Sequence, residues 1–578
     1  MATLSHPPTL LTDPFLQLPT ADGVRVVWFT EFAGIRHHVN FGDKFSCESQ
    51  AITTPLSRMA EDAESHLAAQ GEDGSSLAGW TPRAVWRHEA SLSGLAPGRR
   101  VPYRVTSVRS DGADVTSRGF SLAPLPTAGQ RLRILLTSDH QLMPMTPANL
   151  QMVDETIGRV DAVFHVGDLQ NVPDRASEWF DDRRGCAFFP AMQGRAASTL
   201  ARTGGLGPAP SVTYHGGEII QHAPLFTVIG NHDVMGRFRP EAGLNGMFHD
   251  ARPHRVAEAA YEAEAHNINA QRDPGIRAAW IRDNSFNTVT YEELFTLPSD
   301  GPAGQRYYAL RFGDVHLIGL FATRIWRPAS LAPEVRGKYR EADQDLLNAD
   351  AWGWGEFIFD DLSAGSTQYE WLADQLVSHA FRSAPYKVVM MHHPSHGLGE
   401  NSNPAFAHPV QSIDRDNAGR IAAVRYEYPI ASDVIVRDVE PLLRAAGVQL
   451  VITGHSHVWY RLGGPAGINF LETSNVGNTY GCFLPGHCQR GNAPDDPQYD
   501  SNNYRTSGDP HGLNPVVPSE FAPIQAADGT HMPCVASNEL TVFSILDTGD
   551  GTVSSYVYDT REPDRGVKVF DRFVIGER

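Results

Sequence analysis

The stretch VQLVITGHSHVWY, residues 448–460, decides how this chain folds. Its apolar run reads as a buried strand, and it ends in two histidines separated by one serine. On an extended backbone residues i and i+2 point the same way, so His455 and His457 can face one spot just beyond the strand end. That geometry suits a metal ion. Taken alone, a His-x-His is more often one core imidazole and one solvated one, so the rest of the chain has to decide.

Four other apolar strands also finish in polar clusters: SDHQ (138–141), HVGDLQN (165–171), GNHD (230–233) and MHHP (391–394). The strands alternate with amphipathic helices. RLRILLTSD (131–139) precedes a helix over 147–160, then come strands at 161–168 and 223–233, and YYALRFGDVHLIGLF (307–321) reads as a hairpin. A helix over 366–380, a strand over 386–394 and a helix over 438–447 lead into 448–457. Alternation of this kind predicts an α/β layered core with strands buried on both faces. Ligands of open α/β sheets bind at the carboxyl ends of strands, so all five clusters arrive at one rim. A single strand-end Asp is commonly a turn or cap residue. Five clusters in one topological position, supplying Asp, Asn and His, are better explained as ligands. Oxygen and imidazole donors suit Zn, Mn or Fe, and a carboxylate can bridge two such ions, the usual device for phosphoryl displacement.

In this order, SDHQ, GDLQN, GNHD, the histidine after VVMM and GHSHVWY resemble the calcineurin-like metallophosphoesterase superfamily. PFLQLPTADGVRVVWFT (14–30), followed by SLSGLAPGRRVPYRV (91–105) with its likeness to a fibronectin type III domain, resembles the purple acid phosphatase branch. The resemblance implies a four-layer β-sandwich flanked by helices, over 127–578, behind an N-terminal all-β sandwich over 1–126. It implies two divalent or mixed-valence ions bridged by Asp168, with Asp139 and His457 completing one site and Asn231, His392 and His455 the other. His392 is preferred to His393 because the family ligand stands two residues before the proline, here Pro394. His232 would face the phosphate as donor or general acid, His396 would help to bind phosphate oxygens, and Tyr460 would wall the pocket. Gln141 stands where many members have histidine and purple enzymes glycine, and its amide oxygen is a competent ligand. Asn171 stands where the purple enzymes have an iron-binding tyrosine; it either ligates the first ion or hydrogen-bonds His232.

The expected activity is hydrolysis of a small phosphate ester by attack of a metal-bound hydroxide. Diesters are the alternative to monoesters, and a non-catalytic binding protein on the same fold is a weaker reading. Composition agrees with a soluble globular chain: 578 residues, 20% charged and 41% hydrophobic. The formal charge of −19 argues against broad binding to nucleic acid or an anionic membrane. Five cysteines exclude a disulfide framework, although Cys482 and Cys488 are spaced for a local pair. No run of apolar residues is long enough to span a bilayer, and MATLSHPPTLLTDPF has no apolar signal region, so no export signal is expected. Segments near 200–222, 240–300, 327–365 and 396–437 lack a clean period and are expected to be loops over the site.

Overall fold

A computed structural model describes residues 9–67, 77, 79–202, 210–399, 401, 405–482, 494–504, 508–516, 523–525 and 529–576. Beside a short two-stranded pair, Ala60–Glu61 with Thr81–Pro82, the described residues up to Leu122 carry two larger antiparallel sheets. One runs Phe15–Thr20, Gly23–Thr30, Trp86–Leu92, Ile52–Pro55; the other runs Asp114–Thr116, Val101–Val108, Arg36–Phe41, Cys47–Gln50, with Phe120–Leu122 also paired to Val101–Val108. The alternation of Gly23–Thr30 explains its place. Val24, Val26 and Trp28 point into the core between the two sheets, with Val39, Tyr103 and Val105. Val27 and Phe29 point the other way, into the main core of the molecule. There the Phe29 ring lies 5.3 Å from both Phe180 and Phe189.

The rest of the chain builds two six-stranded mixed sheets. The first has the order Leu225–Thr227, Ala162–His165, Arg133–Thr137, Leu540–Asp547, Thr552–Asp559, Lys568–Val574; its first three strands are parallel. In the second, Tyr308–Phe312, Val315–Gly319, Tyr386–Met390, Leu450–Thr453, Asn469–Thr473 and Trp459–Gly463 follow one another, the middle four parallel. Period-two side chains join the layers. From the second sheet Leu317, Val388, Met390, Leu450 and Ile452 enter the core shared with the first sheet. Their neighbours Ile318, Val389, Met391 and Val451 pack on the outer face against Leu372 and Leu376 of helix Thr367–Val377 and Leu443 of helix Glu440–Ala446. On the first sheet, helix Thr146–Ile157 lies against Leu540–Asp547, where Asn149 Nδ2 donates to Thr541 Oγ1 and the Val542 carbonyl at 2.7 and 2.8 Å.

One expectation is corrected. The 240–300 segment is mostly helical, with helices Gly243–Phe248, His254–Ile268, Pro274–Asp283 and Val289–Leu294. The longest of these buries only Ala257, Tyr261 and Ala265, a stripe one residue wide at i, i+4, i+8, too narrow to stand out as amphipathic in the sequence. Cys482 is buried, and the pairing expected of it with Cys488 lies outside the described residues. Among the described residues no helix is long and apolar enough to cross a membrane.

The face formed by Val27 and Phe29 should carry much of the attachment between the N-terminal sheets and the rest. Phe29→Ala removes a buried ring and should cost about 3–5 kcal/mol, read as a lowered midpoint in chemical denaturation; a loss below about 1 kcal/mol would show that the contact is dispensable.

Candidate metal centre

Five parallel strands end on one rim. Arg133–Thr137 delivers Asp139, Ala162–His165 delivers Asp168 and Leu225–Thr227 delivers Asn231, all from the first sheet. Tyr386–Met390 delivers His392, and Leu450–Thr453 delivers His455 and His457, from the second. The turns that follow need backbone that side chains normally avoid. Asp139, Gln141, Asp168, His455 and His457 all have positive φ, between 35° and 77°. The glycines of the motifs leave room for ligand side chains: a Cβ on Gly230 would stand 2.2 Å from Asp168 Oδ1, and one on Gly454 would stand 2.4 Å from Asp139 Oδ2.

Two buried groups form. Asp139, Asp168 and His457 bring ligand atoms within 4.8 Å of one another, and so do His392, His393 and His455. His457 Nε2 lies 3.4 Å from Asp139 Oδ1, and His392 Nε2 lies 3.3 Å from Asp168 Oδ2, which links the groups. Asn231 Oδ1 lies 3.1 Å from His392 Nε2 and 2.9 Å from His455 Nδ1. The other ring nitrogens are anchored: His392 Nδ1 donates to the Val166 carbonyl at 2.8 Å and His457 Nδ1 to that of Asn478. Such bonds fix the tautomer and leave Nε2 as the lone-pair donor. Backbone amides steady the carboxylates. His455 N–H donates to both oxygens of Asp139 at 3.0–3.1 Å, and His232 N–H donates to Asp168 Oδ1 at 2.7 Å. Burial opposes ionisation of Asp168, but His392 and His232 beside it hold its carboxyl below the usual range. The donor set, two carboxylates, an amide oxygen and three imidazoles without a thiol, fits ions of the Zn, Mn and Fe kind.

The remaining expected residues fall into two sets. Gln141 Nε2 is 3.3 Å from Asp168 Oδ2, and its Oε1 is buried with no hydrogen-bond partner, as a coordinating oxygen would be. Asn171 lines the cavity above the cluster, turns its amide nitrogen to the Gln141 carbonyl, and accepts from His232 Nδ1 with its own carbonyl at 2.8 Å. The expected Asn171–His232 contact is therefore made by main chain. His232 lines the same cavity, its ring stacked on Phe248 at 5.2 Å.

His396 and Tyr460 are corrections. Neither lines that cavity. His396 is buried between carboxylates, Nδ1 2.8 Å from Asp509 and Nε2 3.0 Å from Glu440, which leaves no nitrogen for a phosphate. Tyr460 is fully buried, and its hydroxyl donates to the His396 carbonyl at 2.8 Å.

The sequence reading gave no role to Asp233, the last residue of GNHD. Its carboxylate accepts the main-chain N–H groups of Asp168, Leu169 and Gly230 at 2.8–3.2 Å and so clips one ligand turn to another. Its place inside the motif was the available signal. His393 was set aside in favour of His392; its ring stacks on His455 at 3.8 Å, and neither of its nitrogens has a hydrogen-bond partner.

Residues 132–459, more than half of the chain, match the family model for the calcineurin-like phosphoesterases. The chain belongs to that family. No curated protein matches it in sequence. Among solved structures this chain is similar to purple acid phosphatase PPD1 from yellow lupin (Lupinus luteus) seeds, at 15% identity over 97% of this chain and 73% of that one, with a TM-score of 0.49. It is also similar to the structure of PhoD, at 12% identity over 99% and 94% of the two chains, TM-score 0.42. A third likeness is to GAP50, the anchor in the inner membrane complex of Plasmodium, at 10% identity over 78% and 89%, TM-score 0.32.

His396 gives a stability test. Burial disfavours its charge, but Asp509 and Glu440 outweigh burial and push its pKa up to about 9. A histidine raised in the folded state stabilises fully below its unfolded pKa of about 6.5 and loses that contribution as pH rises through the folded value. Stability should therefore fall between pH about 6.5 and 9, and His396→Gln should flatten that slope in denaturation curves. An unchanged slope would show that the carboxylates do not hold the charge.

Proposed function

We propose that this chain is a two-ion phosphoesterase in which Asp168 is shared between the ions. Asp139 and His457 complete one site; Asn231, His392 and His455 make the other. Gln141 adds its unpartnered oxygen to the first. Asn171, with no phenolate, gives no preference for ferric iron. The observation that carries the reading is that the ends of five strands from two sheets converge in one buried cluster, with His392 Nε2 within 3.3 Å of Asp168. Its position behind an N-terminal pair of antiparallel sheets supports the purple acid phosphatase-like branch, with a boundary near residue 126.

When bound, ions of this kind supply positive charge to phosphate oxygens and lower the pKa of an attacking water. The chain's own residues do the rest. The fixed tautomers of His392 and His457 and the amides on Asp139 and Asp168 hold the donors in place before substrate arrives. His232 is tied at its main-chain N–H to Asp168 and at Nδ1 to Asn171, so Nε2 is the nitrogen it offers to the cavity. In the protonated ring, Nε2–H is placed to give its proton to the oxygen that leaves phosphorus.

Two substitutions separate holding metal from moving a proton. Asp168→Asn takes a shared negative charge from between two cations, so activity should vanish and metal analysis should find at least one equivalent missing. Two retained ions with full turnover would defeat the assignment. His232→Ala should keep metal content near normal and lower kcat by about 10²- to 10⁴-fold, less for nitrophenyl esters, whose leaving group needs little protonation. Loss of one equivalent of metal would instead make His232 a ligand.

A further inference from the structure

The cavity that opens onto the cluster has a volume of about 370 Å³, and its floor includes Asp168, Asn231, His455 and His457. That is the size of a site for one small organic molecule. Its walls mix polar groups, Asn171, Asn245, His249 and Asn401 among them, with an aromatic and apolar set that includes Trp326, Phe248, Phe359, Tyr480 and Ile325. Trp326 and Tyr480 are each 38% exposed, which is unusual for such large rings. Trp326 is held by its indole N–H, which donates to Asn401 Oδ1, and the Tyr480 ring stands 5.0 Å from that of His457. Phe248 is fixed by its stack on His232. Three aromatic rings thus line a cavity whose floor would hold a phosphoryl group.

The wall carries little formal charge. Among the described residues, the single lysine or arginine lining the cavity is Arg327. Its terminal nitrogens donate to the carbonyls of His249, Ala251 and Gly353 at 2.9–3.4 Å, which fixes the guanidinium in the wall, while its Nε is buried with no hydrogen-bond partner. An adjoining cavity of about 550 Å³ shares His249, Trp326 and Arg327 and adds Arg239 and Arg336. Both of these are already near Asp250, at 3.4 and 3.7 Å, and Arg336 is also 3.8 Å from Asp345.

We infer that this phosphoesterase selects phosphate esters whose organic group is a flat aromatic ring, seated between Trp326, Phe248 and Tyr480. The inference rests on the phosphoesterase reading, because the floor of the cavity sets which end of the ester points down.

The test is binding of three phosphonates to the manganese-loaded protein by calorimetry: methylphosphonate, n-hexylphosphonate and phenylphosphonate. The last two are matched in carbon number, so apolar area alone would not favour phenyl. Phenylphosphonate should bind about tenfold tighter than either of the others, the size expected for ring contacts added to a common phosphonate anchor. Trp326→Ala should reduce that preference to less than about threefold while leaving methylphosphonate affinity unchanged, and Trp326→Phe should restore most of it. Hexyl binding as tightly as phenyl, equal binding of all three, a preference unaffected by Trp326→Ala, or no binding of any would each overturn the inference. A 4-nitrophenyl phosphate assay on the same preparation keeps the two readings apart. Turnover without ring preference removes the aromatic site alone, whereas ring preference without metal-dependent turnover of any ester removes the hydrolase reading.

Discussion

Two carboxylates with almost no exposure, Asp139 at 0% and Asp168 at 1%, hold the working end of this molecule together. A buried charge is costly unless it is paired and hydrogen-bonded, and neither carboxylate reaches an arginine or lysine in the cluster. Each is met instead by main-chain amides and imidazoles carried on other strands. The His455 amide on Asp139 ties a turn of the second sheet to a turn of the first. Asp233 does the same between two turns of the first sheet through three amides. The turns take left-handed backbone at Asp139, Asp168, His455 and His457, a conformation that costs on the order of 1–3 kcal/mol per residue and persists only where the surroundings demand it. Strain and buried charge thus meet at one point, where bound cations would relieve the second.

This explains what the sequence disclosed and what it hid. Strand ends, Gly-containing turns and the order of Asp, Asn and His are local features, and the hydrogen-bonded core strands fix where they go. SDHQ, GDLQN, GNHD and GHSH could therefore be read as one rim without knowing any distance. The alternation in Gly23–Thr30 was legible as a strand, but not the meaning of its second apolar face, because only the folded chain shows what Val27 and Phe29 lie against. His396 misled for a similar reason. Four residues beyond His392, it looked placed for a phosphate, but its partners Asp509 and Glu440 are remote in sequence and hold the ring between them. Tyr460 lies on the buried strand Trp459–Gly463, with its hydroxyl on the His396 carbonyl.

The division between core and insertion also separates reaction from specificity. Every residue proposed to hold an ion stands on or just after a core strand or the turn that follows it. The wall of the cavity comes from elsewhere: Phe248 from a short helix in a segment that reads as irregular, Trp326 from the loop after Val315–Gly319, Tyr480 from the stretch beyond Asn469–Thr473. None of these rings sits in a motif, and their meeting depends on how three separate excursions fold over the rim. A strand end has few choices once its sheet is packed, whereas a loop can exchange wall residues with little effect on the core. The class of chemistry is consequently written in short, recognisable runs. The shape of the ester would, on the reading proposed above, be set by contacts between segments that share no pattern, here a ring stacked on His232, an indole fixed by Asn401 and a phenol beside His457.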